Sequence, residues 1–413
     1  MQRSTSTTTT SANRSIQAID VPLAPSVLPR IYPAVASALH DGPALLPLPS
    51  HPEPVRSNLL AALKPEEPLE DPDVSLVVPT SGSTGEPKGV MLSASAIRAS
   101  ATATLNRLGG PGRWLLALPA THVAGLMVLA RSVVSGTEPV ALDMSDGFDP
   151  ELFAAASVRL FGSSPQRRYT ALVPRQLAVL LDGGEAAVAA LAGYDAVLVG
   201  GSAIDDDLLE RARSAGVHVV TTYGATETCG GCVYDGIPLE GVDVDILDDG
   251  RIRLGGPMLA SGYRLLPQLS RDTFAEGWFT TADIGHFQPD GRLEVVGRID
   301  DVAVSGGVNV PLAAVDQLIT AHPAVYDALA VALPDPEWGQ RVVAAVIPQD
   351  PGNPPRLESV RTHVTRQAPA AYAPRELAVV DSLPHLSSGK PDRRALTELL
   401  RSEGTDAGVA GEA

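Results

Sequence analysis

Cysteine is nearly absent: Cys229 and Cys232 are the only two in 413 residues, so no disulfide framework holds this fold together. Aromatic residues make up 4% of the chain, and 31 Lys and Arg face 48 Asp and Glu. The resulting net charge of −17 argues against a nucleic-acid partner, because neutralising a phosphate backbone takes clustered cations. A few local donors still suffice for a nucleotide. Nowhere does an apolar run reach the ~18 residues that would span a bilayer, and the N-terminus has no apolar stretch like that of a secretory signal. A cytoplasmic protein without membrane insertion is the expectation. What is present, 44% hydrophobic and 19% charged residues, is ordinary globular composition. The length suits a large domain plus a small one.

The first 16 residues are rich in Ser and Thr and contain no aromatic residue, so they bury too little to offset their ordering entropy. They are read as part of a tail over 1–20; their basic, hydroxylated character also resembles a transit peptide, but without an amphipathic period. Residues 402–413 read as a second tail. Between them, short apolar runs end in turn formers: Ser75 to Val78, Leu115 to Leu118 before Pro119, Ala171 to Val173 before Pro174, Ala196 to Val199 before Gly200, and Val217 to Val220. That is the pattern of strands buried on both faces. Asp205 is placed to cap a helix carrying Leu208, Leu209 and Ala212. The alternation predicts a layered α/β fold with ligand loops at strand ends. After Gly250 the runs alternate with period two, predicting antiparallel strands. A small α+β segment follows, with helices predicted over 310–319 and 357–366 and strands over 328–333 and 341–347. The expected division is 21–299 for the large domain and 300–401 for the small one.

The run Thr80, Ser81, Gly82, Ser83, Thr84, Gly85, Glu86, Pro87, Lys88, Gly89 follows one of those strands. Glycines let the backbone approach a phosphate, and consecutive amides form a concave anion site. Ser81, Ser83 and Thr84 add hydroxyl donors and Lys88 a positive charge. A bare Gly/Ser turn is the plainer alternative, but the strand before it and the helix predicted from Ser93 favour phosphate binding. It is not a Walker A loop, since Pro87 precedes Lys88 and Gly89 follows it.

The loop instead resembles that of the adenylate-forming superfamily, which includes acyl-CoA synthetases, luciferases and peptide-synthetase adenylation domains. Four later segments resemble the family in the same order. Tyr223, Gly224, Ala225, Thr226, Glu227 and Thr228 are similar to its aromatic-Gly-x-Thr-Glu motif. The resemblance implies an aromatic ring on adenine, a Thr226 hydroxyl at the α-phosphate and Glu227 on Mg²⁺. Trp278 to Gly285 is similar to the segment whose Asp, here Asp283, accepts from the ribose hydroxyls. Gly297 to Asp301 resembles the interdomain hinge, with Arg298 near the ribose and Asp300 as pivot. Ser387 to Arg393 resembles the catalytic-lysine loop, which would place Lys390 against the charge that develops during adenylation. The resemblance spans residues 75–400. It implies a large adenylate-forming domain, a small mobile C-terminal domain, ATP and CoA as co-substrates and Mg²⁺ as cofactor.

Within the superfamily, the short chain and the segments Leu118 to Leu126 and Thr170 to Pro174 resemble the actinobacterial branch that joins o-succinylbenzoate to CoA on the way to menaquinone. His122, Gly201, Ser202, Thr222 and Gly224 lie on loops that would line the acid pocket; for His122 the pyrophosphate path and a satisfied core position are alternatives, with the active site preferred. Another aryl or acyl acid, or a carrier protein as acceptor, remains a competing reading. A catalytically silent nucleotide-binding regulator is disfavoured by the presence of Lys390, Glu227 and Asp283, and a luciferase-type oxygenase by chain length. Cys229 and Cys232 have redox or half-zinc-site spacing, but without a second pair they read as small residues shaping a pocket wall. The Asp205, Asp206, Asp207 run reads as helix capping. A homo-oligomer is left open.

Overall fold

The structure, a computed structural model, describes residues 14–81, 87–162, 165–384 and 391–406. The chain forms two compact units, one of residues 1–244 with 254–280, the other of 245–253 with 281–413. Among the described residues no helix is long and apolar enough to cross a membrane.

Two sheets organise the first unit. A seven-stranded sheet runs in the order Ile237–Pro238, Gly230–Tyr234, Val219–Ala225, Ala196–Gly200, Arg167–Leu172, Gly112–Leu116, Val140–Ala141. Its four central strands are mutually parallel. Successive side chains on those strands enter different cores, as the pleat dictates. Leu116, Ala171, Leu198 and Val220 pack with the helices Ala94–Arg107 and Val123–Ser135. Leu115, Leu172, Val197 and Val199 pack on the other side with Pro150–Phe161, Pro174–Asp182 and Glu185–Ala192. This is why the strands read as continuous apolar runs.

A five-stranded sheet, in the order Ile16–Val21, Ala44–Pro49, Val74–Ser81, Pro87–Ser93, Gly262–Tyr263, covers the other side of the central helices. Leu76, Val78, Val90 and Leu92 join the core they share. Leu46, Val77 and Met91 face Leu59 and Leu63 of the helix Glu53–Leu63. Helix 123–135 therefore lies between two sheets, and every residue from Gly125 to Ser132 is buried. A helix in that position is apolar on most sides, with Arg131 and Ser132 its buried polar residues. Side-chain caps fix helix entries elsewhere: Ser93 accepts from Ala96 N–H, Asp149 from Glu151 and Leu152, and Asp205 from Asp207 and Leu208.

Four expectations need correction. Residues 16–20 are not tail but part of the edge strand Ile16–Val21, paired in parallel with Ala44–Pro49. The loop expected to run to Gly89 ends earlier, because Pro87, Lys88 and Gly89 open the strand Pro87–Ser93. That strand pairs antiparallel with Val74–Ser81, Thr80 opposite Lys88, and the helix then begins at Ala94 with Ser93 as its N-cap, as the sequence predicts. Val308–Pro311 is a strand paired with Val302–Ser305, so the predicted helix over 310–319 begins at Leu312; Pro311, with φ near −64° and extended ψ, stands at its N-cap. The last helix, Arg393–Asp406, runs into what was expected to be the second tail.

In the second unit, Trp278–Phe287 pairs antiparallel with Leu293–Arg298. A further sheet of Val302–Ser305, Val308–Pro311, Val325–Asp335, Gly339–Pro348 and Glu376–Val379 carries helices on both faces. Ala328, Ala330, Val342 and Val346 pack with Leu312–Thr320 and Leu357–Thr365. Leu329, Val331 and Val343 pack with Leu396 of the last helix. A large α/β layered unit and a small α+β unit are the architecture the sequence predicts.

One buried charge holds a long loop of the first unit. The Arg264 guanidinium, with no side-chain exposure, donates to the carbonyls of Leu63, Lys64, Glu67 and Pro68 and to Glu70 Oε2 at 2.7–2.9 Å. Glu70 Oε1 accepts from Leu265 N–H. Removing the guanidinium leaves four carbonyls without the donor that satisfies them, whereas Glu70, 37% exposed, can turn to water; the cost lies mainly in the unpaired carbonyls and the emptied buried space. Arg264→Met is expected to destabilise the first unit by about 3–5 kcal/mol, read as a lower urea midpoint with unchanged slope; a loss below about 1 kcal/mol would show the clamp to be idle.

Candidate active site

The parallel strands of the seven-stranded sheet present their carboxyl ends along one edge, where ligand loops of α/β sheets gather. Four site segments lie there. Leu118 to His122 follows Gly112–Leu116, Val173 follows Arg167–Leu172, Gly201 and Ser202 follow Ala196–Gly200, and Tyr223 to Glu227 closes Val219–Ala225. His122 is half-buried at the N-cap of helix 123–135, its side chain making no capping bond. Gly201 sits at φ +90°, a turn conformation that costs glycine nothing, and it and Ser202 are exposed. Thr222 is half-buried, its hydroxyl 3.4 Å from the Val199 carbonyl.

Gly224 has a steric cause. A Cβ there would lie 2.2 Å from the Gly230 carbonyl oxygen, so the strand can pair with Gly230–Tyr234 only if this residue is glycine. Directly after it, Thr226–Thr228 forms a single 3₁₀ turn. Buried Thr228 fixes that turn, accepting from Ala225 N–H at 2.9 Å and lying 2.8 Å from the Gly230 carbonyl. Thr226 and Glu227 lie on this turn, whose carbonyls at Thr226 and Glu227 accept from Cys229 and Ala260 N–H.

Glu227 makes the contact that organises this side. Its Oε1 accepts a 2.8 Å hydrogen bond from the Tyr263 hydroxyl, and its carbonyl accepts from Ala260 N–H. Tyr263 belongs to the two-residue strand Gly262–Tyr263, which pairs with Met91 and Val90 of the hairpin. Lys88 Nζ lies 5.8 Å from the Tyr263 ring centroid, within cation–π range, and the Thr80 hydroxyl is 3.4 Å from the Lys88 carbonyl. Lys88, Tyr263 and Glu227 thus form one chain of contacts. Burial, then the Glu227 charge and its hydrogen bond, push the Tyr263 phenol upward, which keeps it a donor. Tyr263 was missed in the sequence reading: two residues of strand give no periodicity, and the contacts that fix it, Val90 across the strand pair, Ser270 and Glu227, are non-local.

The second unit holds the other expected residues. Asp283 lies within the strand 278–287, not on a turn, and its carboxylate, 17% exposed, accepts from Arg298 Nη1 at 2.9 Å. The two residues are direct partners across the antiparallel register. A carboxylate fixed this way keeps acceptor capacity for a vicinal diol. Gly82, Ser83, Thr84, Gly85 and Lys390 lie outside the described residues, as do the side chains of Ser81 and Asp300. Tyr223 is half-buried.

No group of three or more His, Cys, Asp or Glu able to hold a metal occurs among the described residues. Glu227 as a lone carboxylate nevertheless fits Mg²⁺, which commonly takes one or two protein carboxylates and completes its shell with phosphate oxygens and water. Cys229 and Cys232 are both free and fully buried. Burial pushes both thiols up, Cys232 to about 12, so neither is a nucleophile near neutral pH.

With this geometry in hand, the comparisons are specific. Residues 17–264 match the model of the AMP-binding enzyme family, and 314–390 that of the AMP-binding enzyme C-terminal domain. The chain belongs to the AMP-binding enzyme family. It is 48% identical over 392 residues, 94% of this chain and 99% of the relative, to a probable 2-succinylbenzoate–CoA ligase of Mycobacterium tuberculosis. A 2-succinylbenzoate–CoA ligase of Listeria monocytogenes is 30% identical, covering 81% of this chain and 73% of the relative. Among solved structures, o-succinylbenzoate coenzyme A synthetase from Bacillus subtilis in complex with ATP and magnesium ion superposes with a TM-score of 0.70 at 25% identity, covering 89% of this chain and 82% of the other.

Two outcomes check the site. Tyr263→Phe, which deletes one hydroxyl, is expected to lower ATP-dependent turnover about 10-fold and raise the Mg²⁺ concentration needed for half-maximal rate, with the melting temperature nearly unchanged; full activity at the wild-type Mg²⁺ requirement would contradict the contact's role. Iodoacetamide at pH 8 is expected to leave Cys229 and Cys232 unlabelled in the native protein and to label both in denaturant, as mass spectrometry would record.

Proposed function

We propose that this chain is an AMP-forming acid–CoA ligase whose acid is 2-succinylbenzoate, as in menaquinone synthesis. The carrying observation is the 48% identity, over nearly the full length of both chains, to a relative named for that ligation. In the first half-reaction an oxygen of the acid's carboxylate attacks the α-phosphorus of ATP. The bond to the bridging oxygen breaks, and pyrophosphate leaves with the electron pair. In the second, the CoA sulfur attacks the acyl carbon, the thiol proton goes to solvent, and AMP leaves with the former carboxylate oxygen. Both steps call for charge stabilisation rather than a protein nucleophile.

Membership of the family suggests a role for each site residue, and the chemistry of each side chain suits it. The amides and hydroxyls of Thr80 to Gly85, with Lys88, hold the departing pyrophosphate. Tyr223 stacks on adenine, Thr226 donates to the α-phosphate, and Asp283, oriented by Arg298, accepts from the ribose hydroxyls. Glu227 holds Mg²⁺, which when bound neutralises phosphate charge. Lys390 offsets charge between the attacking carboxylate and the α-phosphate, and Asp300 is the pivot of the small domain against the large one. His122, Gly201, Ser202, Thr222 and Gly224 line the acid side, where an apolar slot and a polar anchor would seat an aromatic dicarboxylate.

Purified enzyme with Mg-ATP and CoA is expected to release AMP and pyrophosphate only when the acid is added, with 2-succinylbenzoate preferred over benzoate, fatty and amino acids. ADP and phosphate as products would refute the reaction type; preference for another acid, or for a carrier protein over CoA, would refute only the substrate assignment. Lys390→Ala is expected to slow adenylation by about 10²–10³-fold while leaving ATP affinity within a few-fold.

A further inference from the structure

The base of the catalytic-lysine segment is built around a buried ion pair to which the reaction scheme gives no role. Residues 385–390 are flanked by Pro384 and Pro391. The Asp392 N–H donates to the Pro384 carbonyl at 2.9 Å, joining the chain on either side of the segment. Asp392 also caps the last helix, accepting from Ala395 N–H at 3.0 Å. Arg393, one residue on, has a side chain only 16% exposed, and its Nη2 meets Asp316 Oδ2 at 2.6 Å. Its Nη1 donates to the Ala330 carbonyl at 2.6 Å and reaches Asp316 Oδ1 at 3.3 Å. Its Nε lies 3.4 Å from Asp301 Oδ2. Asp316 Oδ1 in turn accepts from Ala330 N–H at 2.6 Å.

Arg393 thus joins four pieces of one unit: the start of the last helix, helix 312–320, strand 325–335 and the turn Ile299–Asp301. Two of its partners matter beyond stability. Asp301 adjoins Asp300, and Arg393 is three residues from Lys390. We propose that Arg393 is a positioning residue for adenylation, fixing the base of the Lys390 segment through its bidentate pair with Asp316. The inference rests on the reading of Lys390 given above. A planar, always-charged fork holding a carboxylate and a carbonyl together sets direction as well as distance, which an ammonium group does not. Burial pushes the Asp316 carboxyl up to about 6 and Arg393 opposes the rise; Asp301 is the other charged group facing the pair.

Because Lys390 is assigned to the first half-reaction, misplacing it should spare the second. The test measures the two separately in the full chain, as ATP–pyrophosphate exchange with the acid and as CoA thioester formation from supplied acyl-adenylate. In Arg393→Met, exchange is expected to fall about 100-fold while thioester formation stays within about twofold and KM for ATP is little changed. Arg393→Met with Asp316→Asn removes the carboxylate the single change would strand, and the same split is expected there if the single variant folds poorly. Arg393→Lys is expected to restore exchange only in part. Equal losses in both half-reactions that follow a lowered melting temperature would overturn the inference, leaving only a structural clamp; so would unimpaired exchange. Lys390→Ala run in parallel separates the two claims. If it keeps exchange, the reading of Lys390 falls and this inference with it; if it loses exchange while the Arg393 variants keep it, this inference falls alone.

Discussion

Parallel strands whose neighbours are reached by crossover helices must be covered on both faces, and that constraint organises the first unit. The strands 112–116, 167–172, 196–200 and 219–225 offer apolar side chains alternately to two cores. The helices 94–107 and 123–135 are then enclosed, because a second sheet closes over them. Little polar chemistry can be housed in such layers without a partner for each group. It is displaced to the strand ends, and there the loops carrying His122, Gly201, Thr222 and Glu227 emerge.

Among the described residues, three arginines carry charge into or beside the apolar layers, and they differ in how they are satisfied. Arg264 is satisfied by four carbonyls and a carboxylate, so it organises a loop. Arg393 is satisfied by two carboxylates and a carbonyl, so it organises a junction. Arg131, 3% exposed, stands 5.2 Å from the Trp114 ring, with a 3.4 Å contact to the Tyr234 hydroxyl. Its Nε has no hydrogen-bond partner among the described residues. A guanidinium over an indole face gains from the ring quadrupole, yet that gain is smaller than the hydrogen bonds the other two collect. Of the three, Arg131 is the one whose loss the interior would tolerate best.

The strands were legible because burial on both faces leaves a composition signal that survives any register. The caps at Asp205 and Ser93 were legible because they rest on one side chain and amides two or three residues away. What escaped the sequence was short or non-local. Gly262–Tyr263 is two residues long and is held by a hairpin over 170 positions earlier. The strand Ile16–Val21 carries polar Gln17 and Asp20 and hides at the end of a Ser/Thr-rich stretch. Pro311 sits on a helix boundary, where a propensity argument slides easily by a turn. At the site, the resemblance supplied roles for residues in contiguous motifs, whereas Tyr263 and Asp316 act through partners far away in the chain.

The Tyr263–Glu227 contact bears on how a metal would be received. An unconstrained carboxylate on a turn samples several rotamers, and a cation arriving with a triphosphate would have to select one. Here one oxygen is already committed to a phenol donor at 2.8 Å, which fixes the plane of the group. The phenol itself is raised by burial and by the same carboxylate, so it cannot titrate away in the range where ATP chemistry runs. The phenol therefore remains a hydrogen-bond donor to Glu227. The orientation of Glu227 is set by folding rather than by ligand, as catalytic preorganisation requires.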